Sequence, residues 1–464
     1  MHARWRYVLN CAAVLGTVFV VAVVFAFGSA TAQPMPAGGD DSPKIDAKKQ
    51  AEIIDSVVAA LNEIYVFPET AKKMEQYLRQ RHKDKAYNGL ATTREFTAQL
   101  TEDVREISKD RHLAVIFMPQ DDVDYFLNRD SVSEQEQRRI LQEEIRRESY
   151  SNFDFEKVER MSGNVGYLKF NSFAEAEYAG ATAVAALNFL AHCDALIIDL
   201  RDNGGGNPSM IQLITSYFFE EPVHLNSFYV RAEDSIHQFW TQSHVQGPRM
   251  TDVDLYVLTS SRTFSGAEEF TYNLKNLKRA TIVGETTGGG AHPVDRRLFA
   301  NLNVAMSLPF GRAINPITGT NWEGVGVEPD IKVSREQALD VAYTEALKSL
   351  LEKATDEERK QNLRFIMDIK QALRNPAVVG EDILRKYVGV YGPREITYED
   401  GALYYQRKPN PKLKMIPLSE NTFCFDQLDY FKLKVNVDAD GNPTELMGIY
   451  SGGNVDVTPK GEAQ

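Results

Sequence analysis

The chain has little cysteine, three residues among 464. So few thiols cannot form a disulfide framework or a cysteine-rich zinc module. Cys193 and Cys424 each lie in an apolar, strand-like stretch, and we interpret both as buried free thiols. Histidine is also scarce, with eight residues, and no pair of them has the spacing of metal ligands. We therefore expect neither a metal nor another cofactor.

Positively charged residues are also fewer than negatively charged ones. The chain has 52 Lys and Arg but 65 Asp and Glu, which gives a formal net charge of -13. This balance argues against an extended nucleic-acid surface. Apolar residues make up 43% and charged residues 25%, the values of ordinary soluble domains. Disorder, collagen-like repeats and a multi-span membrane protein are thereby excluded for most of the chain. The length allows two or three domains.

One long apolar run is present, from about residue 8 to residue 27. Arg4 and Arg6 precede it and Ala30-Thr31-Ala32 follows it, the pattern of an export signal over residues 1–32. The run nearly reaches the length of a membrane span, so an uncleaved anchor is the alternative. We expect a periplasmic or extracellular protein that touches a membrane only through residues 7–28, if the signal stays.

Composition and hydrophobic spacing divide the rest of the chain. A Pro- and Gly-rich linker precedes apolar residues at three- and four-residue spacing, which predict helices. Strands then alternate with helices, which indicates a largely parallel α/β layer, and the C-terminal part has strand and hairpin patterns. The predicted segments are a linker at 33–44, a helical domain at 45–112, an α/β core at 113–335, a helical connector at 336–376 and a β domain at 377–464.

Two glycine-rich turns stand out, Asn203 to Asn207 and Gly284 to Gly290. The first directly follows an apolar strand and precedes a helix that begins near Pro208. Such a turn lets backbone N–H groups approach a negative charge closely. Neither turn carries Gly-Lys-Ser/Thr or G-x-G-x-x-G, which argues against nucleotide binding. A purely structural turn remains an alternative for each.

Ser265 lies in a strand, tight turn and helix pattern. At a helix N-terminus the first N–H groups are unpaired and the dipole is positive. A nucleophilic serine needs such a place, with the amide of Gly266 available to stabilise an oxyanion. The competing interpretation is a capping box, because Glu268 follows Ser265 at the required distance. This segment alone does not separate the two.

A serine nucleophile needs a base, and the histidines offer two candidates. His112 lies at the junction of the helical domain and the α/β core, and His292 follows the second glycine turn. A lone histidine is more often structural. The other histidines lack a supporting pattern: His2, His82, His192, His224, His237 and His244.

Taken together, these segments resemble the tail-specific (C-terminal processing) serine peptidase family, closest to its branch with the tricorn core protease and the interphotoreceptor retinoid-binding protein modules. The resemblance covers about residues 45–335 and implies a crotonase/Clp-like spiral α/β core. The segments that carry it are Asp110 to Leu113, Asp199 to Gly206, Thr259 to Phe270, Gly284 to Pro293 and Trp322 to Asp330.

The resemblance implies roles for single residues. Ser265 falls on the nucleophile, and His112 and Glu323 fall on the histidine and glutamate of the tricorn-like branch. Many members use a lysine base instead, but Gly290 stands at that position here. Arg111 stands where the tricorn enzyme has a serine, which leaves the fourth member of its tetrad without a counterpart. The stretch 118–163 is too short and too charged for the PDZ module of many members.

We therefore expect an exported serine endopeptidase that cleaves polypeptides through Ser265, His112 and Glu323. Gly266, with Gly204 or Gly205, is expected to form the oxyanion hole. The substrate-binding candidates are Gly289, Gly290 and His292. Glu323 could also be a solvated acid beside Trp322. The alternative function is a non-catalytic binding module for an apolar, retinoid- or fatty-acid-like ligand.

Overall fold

The computed structural model describes residues 42–131 and 133–461. The predicted export signal at 1–32 lies outside these ranges, and so does most of the predicted linker at 33–44. Within the two ranges, no helix combines the length and the apolar composition that a membrane span requires.

A helical region opens the described chain, with α1 (Ala47–Ile64), α2 (Pro68–Lys83) and α3 (Thr93–Ser108). Each start carries a helix signal: the Asp46 side chain accepts the Lys49 N–H, Pro68 begins α2, and Thr92 with Glu95 forms a capping box. The predicted apolar stripe points inward. Its buried members include Ile53, Val57, Leu61, Met74, Leu78, Phe96, Leu100 and Val104.

The middle of the chain alternates strands and helices. Its helices are α4 (Gln120–Ser131), α5 (Glu134–Tyr150), α6 (Ala176–Leu190), α7 (Pro208–Ser216) and α8 (Gly266–Asn276). Its strands are β1 (Ala114–Phe117), β2 (Phe155–Met161), β3 (Val165–Phe170), β4 (Ala195–Asp199), β5 (His224–Val230), β6 (Ser235–Trp240), β7 (Asp254–Thr259), β8 (Thr281–Gly284), β9 (Val294–Phe299), β10 (Val304–Pro309), β11 (Gly311–Ile314) and β12 (Ile331–Lys332).

The central sheet has the order β12-β8-β7-β4-β3-β2, and all its pairings are parallel except that of β2 with β3. Every residue of β4 is buried, as its continuous apolar sequence predicts. Because β4, β7 and β8 are parallel, the turns after Asp199, Thr259 and Gly284 leave the same edge of the sheet. Both glycine turns and Ser265 therefore share that edge.

Two small antiparallel sheets, β1-β10-β9 and β11-β5-β6, were not predicted from the sequence. The first lies against the helical region, where Val115, Val304 and Met306 share one core with α1 to α3. Leu113, directly after His112, belongs to the same core, so this packing fixes the turn after α3 that carries His112.

The C-terminal part begins with α9 (Ala338–Lys353), α10 (Glu357–Arg374) and α11 (Glu381–Lys386). Two antiparallel sheets follow, ordered β13-β14-β15-β16 and β17-β18-β19-β20-β21, and the Gly461 N–H donates to the Val390 carbonyl at 2.9 Å. The strands are β13 (Gly389–Tyr391), β14 (Arg394–Glu399), β15 (Ala402–Arg407), β16 (Leu413–Lys414), β17 (Ile416–Pro417), β18 (Thr422–Phe425), β19 (Leu428–Val437), β20 (Pro443–Tyr450) and β21 (Val455–Pro459). The predicted fold class, an α/β core with an N-terminal helical and a C-terminal all-β part, is confirmed.

Candidate active site

Ser265 lies between the end of β7 and the start of α8, at the N-cap position of that helix. Its φ of 54° and ψ of −121° form a combination that costs a non-glycine residue of order 1–3 kcal/mol. A strained strand-to-helix turn is also how many hydrolases expose a nucleophilic serine. Ser265 is half-buried, so its side chain is within reach of solvent.

The first glycine turn packs directly against Ser265. Gly205 has a φ of 105°, and a Cβ there would lie 2.7 Å from the Ser265 Cβ, so only glycine fits. The Gly205 N–H donates to the Asn203 side chain at 2.9 Å, and the Gly204 N–H donates to the Asn171 carbonyl at 3.2 Å. Both amides predicted as second oxyanion donors therefore already have acceptors within the fold.

The next amide of the turn is placed differently. The Gly206 nitrogen would lie 2.9 Å from a Cβ on Gly266, so the two glycines are in close contact. Neither the Gly206 N–H nor the Gly266 N–H has an acceptor among the described residues. A Cβ on Gly206 would overlap the Phe173 carbonyl. Two neighbouring amides without acceptors, that of Gly206 and that of Gly266 directly after Ser265, are available to receive one oxygen atom.

Glu268 joins this turn to the second glycine turn. Its buried carboxylate accepts four hydrogen bonds, from the Ser265 N–H at 2.9 Å, the Gly290 N–H at 2.8 Å, the Gly289 N–H at 2.6 Å and the Thr287 hydroxyl at 2.5 Å. Burial raises the pKa of Glu268 to about 7, although these donors oppose the shift. The sequence showed Glu268 only as one half of a capping box.

Gly290 stands where the resemblance of the sequence led us to look for a lysine base. A Cβ there would overlap the Phe264 ring and lie 2.7 Å from Cε1 of His112, so no side chain fits without displacing these rings. Gly289 and Gly290 were predicted as substrate-binding candidates, and in the structure their amides donate to the Glu268 carboxylate.

His112 lies beside the turn that carries Ser265. Its ring contacts that of Phe264, the residue before Ser265, with 4.7 Å between centroids. Burial lowers the pKa of His112 to about 4, so the ring is neutral at pH 7. Its Nδ1 is buried and has no hydrogen-bond partner among the described residues. Among the residues that the structure describes, no hydrogen bond joins His112 to Ser265. Catalytic hydrogen bonds often form only when substrate is bound.

Glu323 contacts the backbone around His112 rather than its ring. One carboxylate oxygen accepts the Arg111 N–H at 3.3 Å, and the other accepts the Ala291 N–H at 2.5 Å. The second oxygen also lies 3.6 Å from Nδ1 of His292. Burial and the neighbouring Asp110 raise the pKa of Glu323. It is therefore not a solvated surface acid.

His292 is 5% exposed, and its Nδ1 lies 2.6 Å from Oδ2 of Asp110. Asp110, His292 and Glu323 offer ligand atoms that all lie within 4.8 Å of one another, so the three could hold a metal ion. The sequence did not predict this group, because its members are separated by up to 213 positions and no histidine pair is involved.

Two family models match the chain. The model of Peptidase family S41 matches residues 164–333, and the model described as the N-terminal domain of Peptidase_S41 in eukaryotic IRBP matches residues 47–150. Together they cover more than half of the sequence.

Several solved structures are similar to the chain. A putative peptidase from Parabacteroides merdae is 17% identical over 67% of this chain and 100% of its own, with a TM-score of 0.46. The photosystem II D1 C-terminal processing protease is 22% identical over 37% of this chain and 43% of its own, with a TM-score of 0.32. The tricorn protease is 12% identical over 66% of this chain and 37% of its own, with a TM-score of 0.40.

Proposed function

Since the chain belongs to Peptidase family S41, a family of serine peptidases, we propose that it is an exported endopeptidase with Ser265 as nucleophile and His112 as general base. The observation that carries this proposal is the setting of Ser265. A strained serine stands beside two adjacent amides without acceptors, and a neutral imidazole packs on the residue before it.

The reaction begins when a peptide carbonyl carbon approaches the Ser265 hydroxyl. His112 accepts the hydroxyl proton as the serine oxygen bonds to that carbon. The same imidazole then gives the proton to the leaving amine, and an acyl-enzyme ester remains. A water molecule attacks the ester with His112 again as base, which releases the carboxylic acid product and restores Ser265.

The tetrahedral intermediate carries a negative oxygen, which we assign to the amides of Gly266 and Gly206. Gly206 replaces Gly204 and Gly205 in this role because the amides of those two residues have other acceptors. Loss of one such donor typically costs ~10²–10³ in rate.

Glu323 supports the base through the backbone in this proposal. It accepts the Arg111 N–H directly before His112 and the Ala291 N–H on the facing segment. A lysine base is not required, and the packing of Phe264 and His112 leaves no room for one at Gly290.

The experiment is hydrolysis of an unstructured protein by the full chain and two serine variants. Ser265→Ala should abolish cleavage, whereas Ser261→Ala, an exposed neighbour on the same turn, should cleave as the wild type does. Equal cleavage by Ser265→Ala would refute the assignment of the nucleophile. The alternative, a non-catalytic binder of an apolar ligand, predicts no cleavage by any of the three proteins.

The proposal that the protein is exported rests on the sequence before the described ranges. That sequence has a basic start, an apolar run and Ala30-Thr31-Ala32. N-terminal sequencing of the protein from fractionated cells tests it. A mature chain that begins at Gln33 outside the cytoplasm supports export with cleavage, and full-length protein in the cytoplasm contradicts it.

A further inference from the structure

The turn that carries His112 is held by a buried carboxylate. Asp110 is 0% exposed, and its Oδ1 accepts the His112 N–H at 3.1 Å. The residue before it, Lys109, ends α3 in the left-handed conformation with a φ of 59°. The orientation of the His112 side chain therefore depends on the position of Asp110.

Asp110 is held in turn by two residues from distant parts of the chain. Its Oδ2 accepts a hydrogen bond from Nδ1 of His292 at 2.6 Å and one from the Tyr65 hydroxyl at 3.2 Å. His292 precedes β9, and Tyr65 follows α1. The helical region and the second glycine turn thus meet at one carboxylate next to the base.

Glu323 makes a second connection of the same kind. Its two oxygens join the Arg111 N–H to the Ala291 N–H, and His292 Nδ1 lies 3.6 Å from one of them. Two carboxylates therefore tie the turn before His112 to the segment before His292, and the His292 ring lies between them.

We propose that His292 is a positioning residue, an imidazolium shared by Asp110 and Glu323 that fixes the turn carrying His112. This inference rests on the proposed role of His112 as the base. It assigns a different task to each of the two histidines that the sequence offered as bases. His292 stays charged and buried, whereas His112 stays neutral and accepts the proton.

The surrounding charges favour this division. Burial is the largest single influence on His292 and disfavours its imidazolium, but the hydrogen bond to Asp110 and the negative charges of Asp110 and Glu323 together outweigh burial, so the pKa of His292 is raised. Glu323 acts in the same direction, and Arg312 on β11 opposes it. For His112, burial lowers the pKa, Asp110 opposes this, and His292 and Arg105 lower the pKa further.

A charged His292 also accounts for the geometry better than a metal ion does. Zinc bonds of ~2.0–2.2 Å in a tetrahedral site separate ligand atoms by about 3.3 Å. Oδ2 of Asp110 and Nδ1 of His292 are only 2.6 Å apart, a hydrogen-bond distance. The rings of His292 and Phe67 also pack edge to face, with 5.4 Å between their centroids.

The direct test is nitrogen NMR of the full chain with ¹⁵N-labelled histidine in a Ser265→Ala background. The expected result is a His292 ring with protons on both nitrogens at pH 7.5, assigned by its loss in His292→Leu. A neutral His292 at that pH would overturn the proposal. So would a His292 signal that changes after chelator treatment and returns with Zn²⁺, because it would mean a metal site.

Kinetics of His292 variants provide the second test. His292→Leu should lower kcat by ~10²-fold with KM nearly unchanged, because the base is misplaced while the substrate surface stays. His292→Asn, whose amide can donate to Asp110 from the position of Nδ1, should recover most of the loss. His244→Asn, an exposed histidine away from the site, should behave as wild type.

The outcomes separate this inference from the proposed function. Full activity of a folded His292→Leu, or no recovery in His292→Asn, overturns the positioning role. Activity that survives His112→Ala and disappears in both His292 variants makes His292 the base and refutes the role proposed for His112. If His292→Leu does not fold, the NMR measurement on the Ser265→Ala chain decides, with the His292 signal assigned by its loss in His292→Asn.

Discussion

The carboxylate of Glu268 accepts the backbone N–H of Ser265 at 2.9 Å and the N–H of Gly290 at 2.8 Å. One buried side chain thus joins the turn that carries Ser265 to the second glycine turn. The strained backbone conformation of Ser265 persists only if the surrounding contacts hold it in place. The hydrogen bond from the Ser265 N–H to Glu268 is one of these contacts.

Replacing Glu268 should therefore lower activity without removing a reacting group. In Glu268→Gln one acceptor oxygen becomes an NH₂ that faces backbone N–H donors, so the two turns separate. We expect kcat to fall by ~10²-fold, measured on the same unstructured substrate. Glu352→Gln, an exposed glutamate of α9, is the matched control. An unchanged kcat in Glu268→Gln would contradict this role.

Glu268 should also make stability depend on pH. Its pKa is about 7 in the fold and near 4.5 when unfolded, so between these values the folded state keeps a proton that the unfolded state releases. The free energy of unfolding then decreases as pH rises from about 4.5 to about 7, by up to about 3 kcal/mol for this group. Urea unfolding at pH 5 and pH 8 should show this decrease in wild type and a smaller one in Glu268→Gln. Equal decreases would exclude Glu268 as its source.

The base should titrate well below ordinary histidine. Because burial lowers the pKa of His112 to about 4, the drop of kcat/KM that belongs to His112 should come only near pH 4, well below the titration of Glu268 at about 7. His112→Ala should lose ~10²–10⁴-fold in kcat at pH 7, and His244→Ala should lose nothing. A drop of kcat/KM centred near pH 6.5 that remains in Glu268→Gln would mean that His112 is charged more easily than its burial implies.

The oxyanion donors can be seen in a covalent adduct. A crystal structure of the fluorophosphonate adduct should place the phosphoryl oxygen about 2.7–3.1 Å from the nitrogens of Gly206 and Gly266. If the oxygen instead contacts Gly204 or Gly205, those amides must exchange their acceptors on reaction. Gly204→Ala should react like wild type, because a Cβ there meets no atom within 4 Å.

Glu323→Gln should lower kcat and leave KM nearly unchanged, because Glu323 holds the amide before His112 rather than the substrate. Its effect should nearly vanish when combined with His112→Ala, since residues that act as a unit are strongly non-additive. Single and double variants assayed on one substrate give the comparison. Defects that multiply would indicate an independent role, such as substrate binding.

The sequence predicted those parts of the site that depend on local pattern. The strand, turn and helix around Ser265 and the glycine turn after β4 follow from periodicity and glycine spacing over a few residues. The contact of Asp110 with His292 joins positions 182 apart, and local patterns carry no information about such pairs. Glu268 was predicted only as the capping partner of Ser265, because its spacing does not show that its carboxylate is buried and also binds the second glycine turn.

The strands that were not predicted from the sequence were missed for similar reasons. In β9 the residues Asp295, Arg296 and Arg297 are exposed and charged, so its sequence does not resemble a strand. Its partner β10 supplies the apolar side that packs on the helices. The C-terminal strands β18 and β21 are short, and only tertiary pairing with β19 and β20 defines them.

The central claim is that Ser265 is a nucleophile activated by His112. Peptide mapping by mass spectrometry after treatment with a fluorophosphonate tests it most directly. The account predicts one adduct on Ser265 at pH 7, formed at least ~10²-fold more slowly in His112→Ala and absent in Ser265→Ala. An unmodified Ser265 in folded wild-type protein, or equal labelling rates with and without His112, would contradict it.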